Sequence, residues 1–309
     1  MKSLIEKYEE DQILISNPEG LKAKINAIKA DGASHLDIVS DFDFTLSRKS
    51  QSGTGPDSAF GVLARSSYMS EQLRAEYKSL YDHYYPIEKD EHITFAEKNV
   101  AMCEWWDKSL MLISDKKFTD AEVVNSIRES AFAFRHGFDY LAKAIADNKI
   151  VLYVLSAGIS KVITYAIFEA LHTKTLNNIR VISNDWREKD GKQEFIKPHI
   201  YTTNKNEYLC VGKHPSLRKN AILMGDMLED LMMVKHSGHK CVITIGYYNK
   251  VSQQIPIESY TKSFDIVIAG QGSLIHATKL IYALFNSKLF DDVYTKYPSS
   301  KVLSELLKK

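Results

Sequence analysis

Leu36-Asp37-Ile38-Val39-Ser40-Asp41-Phe42-Asp43-Phe44-Thr45 is the stretch from which the fold is read. Leu36 to Ser40 is a short apolar strand that ends at Asp41. Alternate residues leaving a strand point the same way, so Asp41 and Asp43 are directed toward one site while Phe42 and Phe44 turn inward. Further apolar strands are expected at Ile150–Leu155, Ile179–Ile182, Ala221–Met224, Cys241–Ile245 and Phe264–Ile268. Helical spacing separates them, around Phe138–Ile145, Ile159–Leu171, Leu228–Lys235 and Leu274–Phe285. Upstream, Asn17 caps a helix that has Pro18 in its first turn, with Leu21, Ile25 and Ile28 on one face and Gly32 as its stop. Strands apolar throughout and separated by helices indicate a parallel sheet covered on both faces. The expected class is therefore α/β, a doubly wound Rossmann-like sheet whose ligands bind at the carboxyl ends of its strands.

One stretch breaks the alternation. Residues 49–135 begin with a polar loop, Ser50 to Asp57, and continue as helical patterns rich in Tyr, Trp and Glu without a strand. This predicts a mainly helical cap inserted after the first core strand, over a core formed by residues 1–48 and 136–309.

Composition narrows the function classes. The 309 residues are 44% hydrophobic and 26% charged, with a formal net charge of +1. That balance suits a globular chain and provides no global field for a nucleic-acid polymer or an anionic membrane. The longest strongly apolar stretch, Ile150 to Leu155, is far below the ~20 residues that span a bilayer. Charges at Lys2, Glu6, Lys7, Glu9 and Glu10 interrupt any secretory leader. Cys103, Cys210 and Cys241 are odd in number and widely spaced, so neither a disulfide framework nor a C-x-x-C metal site is expected. A monomeric cytoplasmic protein is the expectation.

The chemistry-bearing residues follow the strands. Paired carboxylates such as Asp41 and Asp43 can divide phosphate chemistry between a nucleophile and an acid/base. Gly225-Asp226-x-x-x-Asp230 puts one carboxylate at a strand end and a second one helical turn on, and Mg²⁺ takes such oxygen ligands. Equally, such a pair can merely cap a helix. Ser156-Ala157-Gly158 ends a strand and opens a helix, where backbone N–H groups can cradle a phosphate. Lys205, in a polar stretch, can neutralise a phosphoryl oxygen. Two weaker patterns are His236-x-x-His239, which reads as a helix end, and Gly270-Gln271-Gly272-Ser273, which reads as an ordinary strand-to-helix turn. Of Tyr77, Tyr81, Tyr84, Tyr85, Trp105 and Trp106, one or two are expected to reach a ligand, the others packing the cap.

Taken in order, Asp41-Phe-Asp-Phe-Thr-Leu, Ser156, Lys205 and Gly225-Asp226-x-x-x-Asp230 resemble the four motifs of the haloacid dehalogenase-like phosphohydrolases. The chain is more closely similar to the cytosolic 5′-nucleotidase III (pyrimidine 5′-nucleotidase) family. Ile38 to Arg48, Tyr85-Pro86-Ile87-Glu88, Glu104-Trp105-Trp106-Asp107-Lys108-Ser109 and Leu155-Ser156-Ala157-Gly158-Ile159 all resemble its signatures. The likeness runs from about Pro18 to about Phe285. It implies Asp41 as nucleophile and Mg²⁺ ligand, and Asp43 as general acid/base that gives its backbone carbonyl to the metal. It further implies Asp226 as metal ligand with Asp230 supporting it, and Ser156, Ala157 and Lys205 around the phosphoryl group. Glu88 and Ser109 fall at substrate-binding positions of the family. Trp106 falls at the base pocket and resembles the branch that accepts 7-methyl-GMP.

The implied activity is Mg²⁺-dependent hydrolysis of nucleoside 5′-monophosphates, CMP, UMP and 7-methyl-GMP, through an aspartyl phosphate. Phosphoryl transfer to another nucleoside would be a side activity. Two alternatives stand beside it: a catalytically silent module that binds a nucleotide or protein, and a phosphatase for another small phosphomonoester. A silent module need not keep Asp41, Asp43, Lys205 and Asp226 together, and the cap residues argue against the second.

Overall fold

The computed structural model describes residues 11–48, 58–90, 92–209, 217–249, 255–270 and 272–285. Cys210, the loop Ser50 to Asp57 and the tail segment Val302 to Leu307 lie outside them.

In chain order the elements are β1 (Gln12–Leu14), α1 (Pro18–Asp31), β2 (Leu36–Ser40), α2 (Ala59–Ala64), α3 (Glu71–Lys89), α4 (Phe95–Lys116) and α5 (Asp120–Glu129). Then follow α6 (Phe138–Asp147), β3 (Val151–Ile159), α7 (Ser160–Leu171), β4 (Ile179–Asn184), β5 (Trp186–Lys189) and β6 (Lys192–Phe195). The chain continues through β7 (Asn220–Gly225), β8 (Cys241–Tyr248), α8 (Ile257–Ser263), β9 (Ile266–Ala269) and α9 (Ile275–Phe285). Seven strands form one sheet in the order β1-β9-β8-β7-β2-β3-β4. All its neighbours pair in parallel except β1, which runs antiparallel to β9 along the edge. Every residue of β2, β7 and β9 is buried, as strands covered on both faces must be.

Local chemistry sets the helix ends. Asn17 accepts a hydrogen bond from the Gly20 N–H at 2.9 Å. The backbone of Gly32 turns at φ +85°, as the expected stop requires. Thr94 with Glu97, and Thr119 with Glu122, form reciprocal capping boxes at the starts of α4 and α5.

Three elements escaped the sequence reading: β1, the β5–β6 hairpin and α8. β1 has three residues and the hairpin strands are largely exposed, so neither has an apolar run to announce it. The segment expected as a helix around Leu228–Lys235 is a 3₁₀ turn, Leu228–Val234. Between β2 and α6 the described residues form four helices, and the chain returns beside the point where it left. Arg48 N–H donates to Ala133 O, and Arg135 N–H to Leu46 O, both at 2.9 Å.

The weaker sequence patterns resolve as structure. Asp11 accepts from the N–H groups of Gly272 and Ser273, both at 2.7 Å. The chain's own carboxylate thus occupies the place an anion would take at that turn. His239 Nδ1 lies 2.6 Å from Ser237 Oγ, and the only potential metal-holding cluster among the described residues lies elsewhere. Cys103 and Cys241 are free thiols.

Candidate active site

β2, β3 and β7 are neighbours in the sheet, with β2 between the other two, so their carboxyl ends open at the point where the strand order reverses. Asp41 leaves β2, Ser156 lies on β3 and Asp226 follows β7. Together with Asp43, Ala157, Lys205 and Asp230 they line a single cavity of about 280 Å³. Glu88 from α3, and Trp106 and Ser109 from α4, line the same cavity. Every residue singled out from the sequence as a site residue is therefore brought to one place.

The route from Asp41 to Asp43 is not a continued strand. Phe42 is fully buried and stacks on Phe132 at 5.7 Å, as expected. Phe44 does not turn inward. The backbone enters a tight turn after Asp43, with Phe44 at φ +63°, and the Phe44 side chain lines the cavity. A positive φ is costly for a non-glycine residue, so surrounding contacts must hold it. Arg135, almost fully buried, does so. Its guanidinium donates to Thr45 O at 2.8 Å, to Phe44 O, to Gly272 O at 3.2 Å and to Asn249 Oδ1 at 2.8 Å. It also lies over the Tyr247 ring at 4.5 Å. Nothing in the local sequence announces Arg135, because each of its partners is distant in the chain.

Lys205 bridges two acids, 2.6 Å from Asp41 Oδ1 and 2.9 Å from Asp230 Oδ1. The other Asp230 oxygen accepts from the N–H groups of Asp226 and Met227, each at 3.1 Å. Gly225 makes this possible, since a Cβ there would sit 2.5 Å from Asp230 Cβ. Burial pulls the Lys205 ammonium down, but Asp230 and Asp41 override it and hold it above the ordinary lysine value. Burial pushes Asp41 up against the pull of Lys205. Asp226 is driven well up, by burial first and then by Asp41 and Asp230. Asp43 is raised to about 7, by burial first and then by the charge of Asp41, against the Ala59 N–H that donates to it at 2.6 Å.

Carboxylate oxygens of Asp41, Asp226 and Asp230 all lie within 4.8 Å of one another, and all three residues are buried. Three crowded acids against one bridging lysine leave excess negative charge, and their oxygens suit a hard divalent cation. Asp230 is already engaged by Lys205 and two N–H groups. Asp41 and Asp226 are the side chains better placed to hold a metal.

The far wall is aromatic. Tyr77, Tyr81, Tyr85, Trp105 and Trp106 line the cavity. Tyr84 is buried in the packing instead, stacked on Trp105 at 6.0 Å. Trp106 Nε1 and Ser109 Oγ are buried polar atoms with no hydrogen-bond partner among the described residues. Such atoms are costly unless something polar meets them. Sequence reasoning had not assigned Phe60, Arg65, Lys98, Met102, Thr202, Thr203 or Glu229 to the site, all of which also line it.

A doubly wound sheet with an acid pair after β2, a lysine bridging that pair to a second one after β7, and helices between β2 and α6 defines a haloacid dehalogenase-like phosphohydrolase. The sequence profile of the family Pyrimidine 5'-nucleotidase (UMPH-1) matches residues 44–285. The chain belongs to that family, whose chemistry is phosphomonoester hydrolysis on nucleotides. It is 34% identical over 266 residues to the human 7-methylguanosine phosphate-specific 5'-nucleotidase, covering 83% of this chain and 87% of that one. Likeness to the Caenorhabditis elegans putative cytosolic 5'-nucleotidase 3 is 30% over 286 residues, covering 88% and 75%. A solved structure of cytosolic 5'-nucleotidase IIIB (cN-IIIB) bound to cytidine superposes with a TM-score of 0.76 at 27% identity, covering 95% of this chain and 98% of that one. No helix among the described residues is long and apolar enough to cross a membrane.

Proposed function

We propose that this protein is a Mg²⁺-dependent 5′-nucleotidase that releases phosphate from nucleoside 5′-monophosphates, including CMP, UMP and 7-methyl-GMP. Residues 49–135 act as a cap over a core of residues 1–48 and 136–309. The observation that carries the reading is the shared cavity. One wall holds an acid pair, a buried lysine and the Ser156 hydroxyl; the other holds aromatic rings with two polar atoms that have no partner among the described residues.

In this reading an Asp41 oxygen attacks phosphorus, forming an aspartyl phosphate as the bond to the 5′ oxygen breaks. Asp43, raised to about 7, gives its proton to that departing oxygen. As a carboxylate it then takes a proton from water, whose oxygen attacks phosphorus and frees Asp41. Lys205, the Ser156 hydroxyl and the Ala157 N–H hold the phosphoryl oxygens. Mg²⁺, held by Asp41, Asp226 and the Asp43 carbonyl, would supply charge neutralisation of the phosphoryl group. Asp230 keeps Lys205 and the Asp226 backbone in place.

At the other end the base lies against the rings, beside Glu88, Trp106 Nε1 and Ser109 Oγ. A cationic base such as 7-methylguanine gains about 0.5–2 kcal/mol from an aromatic face. The names of the human and nematode relatives, and the cytidine in the solved structure, support a nucleotide substrate. The same cavity and family support a protein that works in the cytoplasm on a small molecule.

The test is phosphate release from CMP, UMP, GMP, AMP and 7-methyl-GMP with and without Mg²⁺. Turnover of CMP and 7-methyl-GMP that requires Mg²⁺, with weak activity on GMP and AMP, is expected. No release from any nucleotide refutes the reading, and indifference to 7-methyl-GMP refutes the base assignment.

A further inference from the structure

Lys205 stands at the end of a loop that α4 holds from outside. Asp107 on α4 accepts two hydrogen bonds on one oxygen, from His199 Nδ1–H at 2.7 Å and from Tyr201 OH at 2.9 Å. A carboxylate can only accept, so Nδ1 carries a proton. His199 Nε2 is left buried with no partner among the described residues. Eight residues earlier on α4, or about 12 Å along its axis, Asn99 accepts from Thr203 Oγ1. Residues 199, 201 and 203 thus all reach α4, while Ile200 between them packs into the core.

The inner side of the same loop is tied through Asn184 to β3 beside Ser156. Asn184 accepts from Ile200 N–H at 2.8 Å and donates to Ala157 O at 2.7 Å. Tyr201 N–H donates to Asn204 Oδ1 at 2.7 Å, and Asn204 Nδ2 to His199 O at 3.1 Å. One residue on, Lys205 reaches Asp41. α4 also presents Trp106 and Ser109 to the cavity. One helix therefore touches the base end of the site directly and the phosphate end through this loop.

We propose that Asp107 is a positioning residue: by clasping His199 and Tyr201 it couples the seating of the cap helix to the placement of Lys205 against the phosphoryl group. This rests on the phosphatase reading above. The raised pKa of the Tyr201 hydroxyl, caused by burial first and then by its bond to Asp107, agrees with a hydroxyl held as a donor. A residue of this kind acts on the phosphate end, although it sits on the helix that forms the base end.

The experiment compares full-length wild type with Asp107→Ala, Asp107→Asn and Tyr201→Phe. It measures kcat and KM for CMP, melting temperature, and calorimetric affinity for inorganic phosphate with Mg²⁺. Displacing a catalytic group by about an ångström costs up to about 100-fold, so Asp107→Ala should lower kcat about 10- to 100-fold. Phosphate affinity should weaken in step, with the CMP KM changing less. Asp107→Asn keeps an oxygen that accepts from both donors and should recover most of kcat. Tyr201→Phe should cause a smaller loss in the same two readouts.

A residue that only supports the fold would lower the melting temperature and leave kcat and phosphate affinity alone. That result in Asp107→Ala overturns the proposal. Should Asp107→Ala not fold, unchanged kcat and phosphate affinity in Tyr201→Phe overturn it instead. If wild type released no phosphate from nucleotides, the functional reading would fail, while phosphate affinity would still report on the clasp.

Discussion

Replacing Arg135 by lysine tests whether the turn after Asp43 is held from behind. Arginine there serves four acceptors: Thr45 O, Phe44 O, Gly272 O and Asn249 Oδ1. Phe44 O retains a second donor, Asn249 Nδ2 at 3.1 Å, which leaves Thr45 O and Gly272 O as the backbone acceptors most dependent on the guanidinium among the described residues. A lysine keeps the charge but presents a compact ammonium that cannot span the fork. Stripping these two buried acceptors costs about 1–3 kcal/mol each. The expected loss is about 3 kcal/mol, which at about 2–4 °C per kcal/mol lowers the melting temperature by about 6–12 °C. Because Phe44 is held at φ +63° next to Asp43, loosening it should also lower kcat, by about 10-fold or more. Thermal and urea unfolding measure the first effect, and phosphate release from CMP the second. An Arg135→Lys protein that melts within about 2 °C of wild type and keeps full kcat would refute the reasoning.

Three other outcomes are expected. Asp41→Asn should abolish turnover, whereas Asp43→Asn should cost about 10²- to 10⁴-fold yet keep Mg²⁺ and phosphate binding; calorimetry that found Mg²⁺ binding lost in Asp43→Asn would make Asp43 a side-chain metal ligand. Trp106→Ala should harm 7-methyl-GMP more than CMP, since only the charged base loses a cation–ring contact as well as stacking area, and equal losses would reduce Trp106 to packing. Lys279, buried on α9, is pushed by burial down to about 8. Between about pH 8 and the unfolded value near 10.4 the unfolded chain binds the extra proton, so wild-type stability should rise with pH across that window by about 2–3 kcal/mol. Urea unfolding at several pH values should show the rise in wild type and its absence in Lys279→Met.

Much of this protein could be read along the chain because the relevant physics is local. An unbroken apolar run such as Ile222 to Met224 has to be covered on both faces wherever it goes, and β7 is entirely buried. Asn17 with Pro18, and Gly32 at the other end, mark α1 through contacts made within four residues. Asp41 and Asp226 could be placed at strand ends because the residues before them read as strands, and a parallel sheet gathers such ends at one edge; Ser156, expected to open a helix, instead lies within β3, which runs on to Ile159.

What the chain could not show in one dimension were contacts between residues far apart. Alternation along a strand fails where the strand stops, and Phe44 faces the cavity because Arg135, 91 residues later, holds its carbonyl in a turn. The acceptor for His199 is 92 residues away on α4, and Lys205 is 164 residues from Asp41. Tyr84 and Tyr85 are neighbours in sequence, yet one is packed away and the other lines the cavity, because on a helix adjacent residues face different directions. The sequence by itself determined the buried core strands, most of the helices that cover them, and where the acids would gather. Which side chains meet across the cavity, and so which of them hold the acids in place, was decided only when the sheet and the inserted helices packed, because those pairings depend on side-chain direction and on the closing of long loops rather than on any local preference.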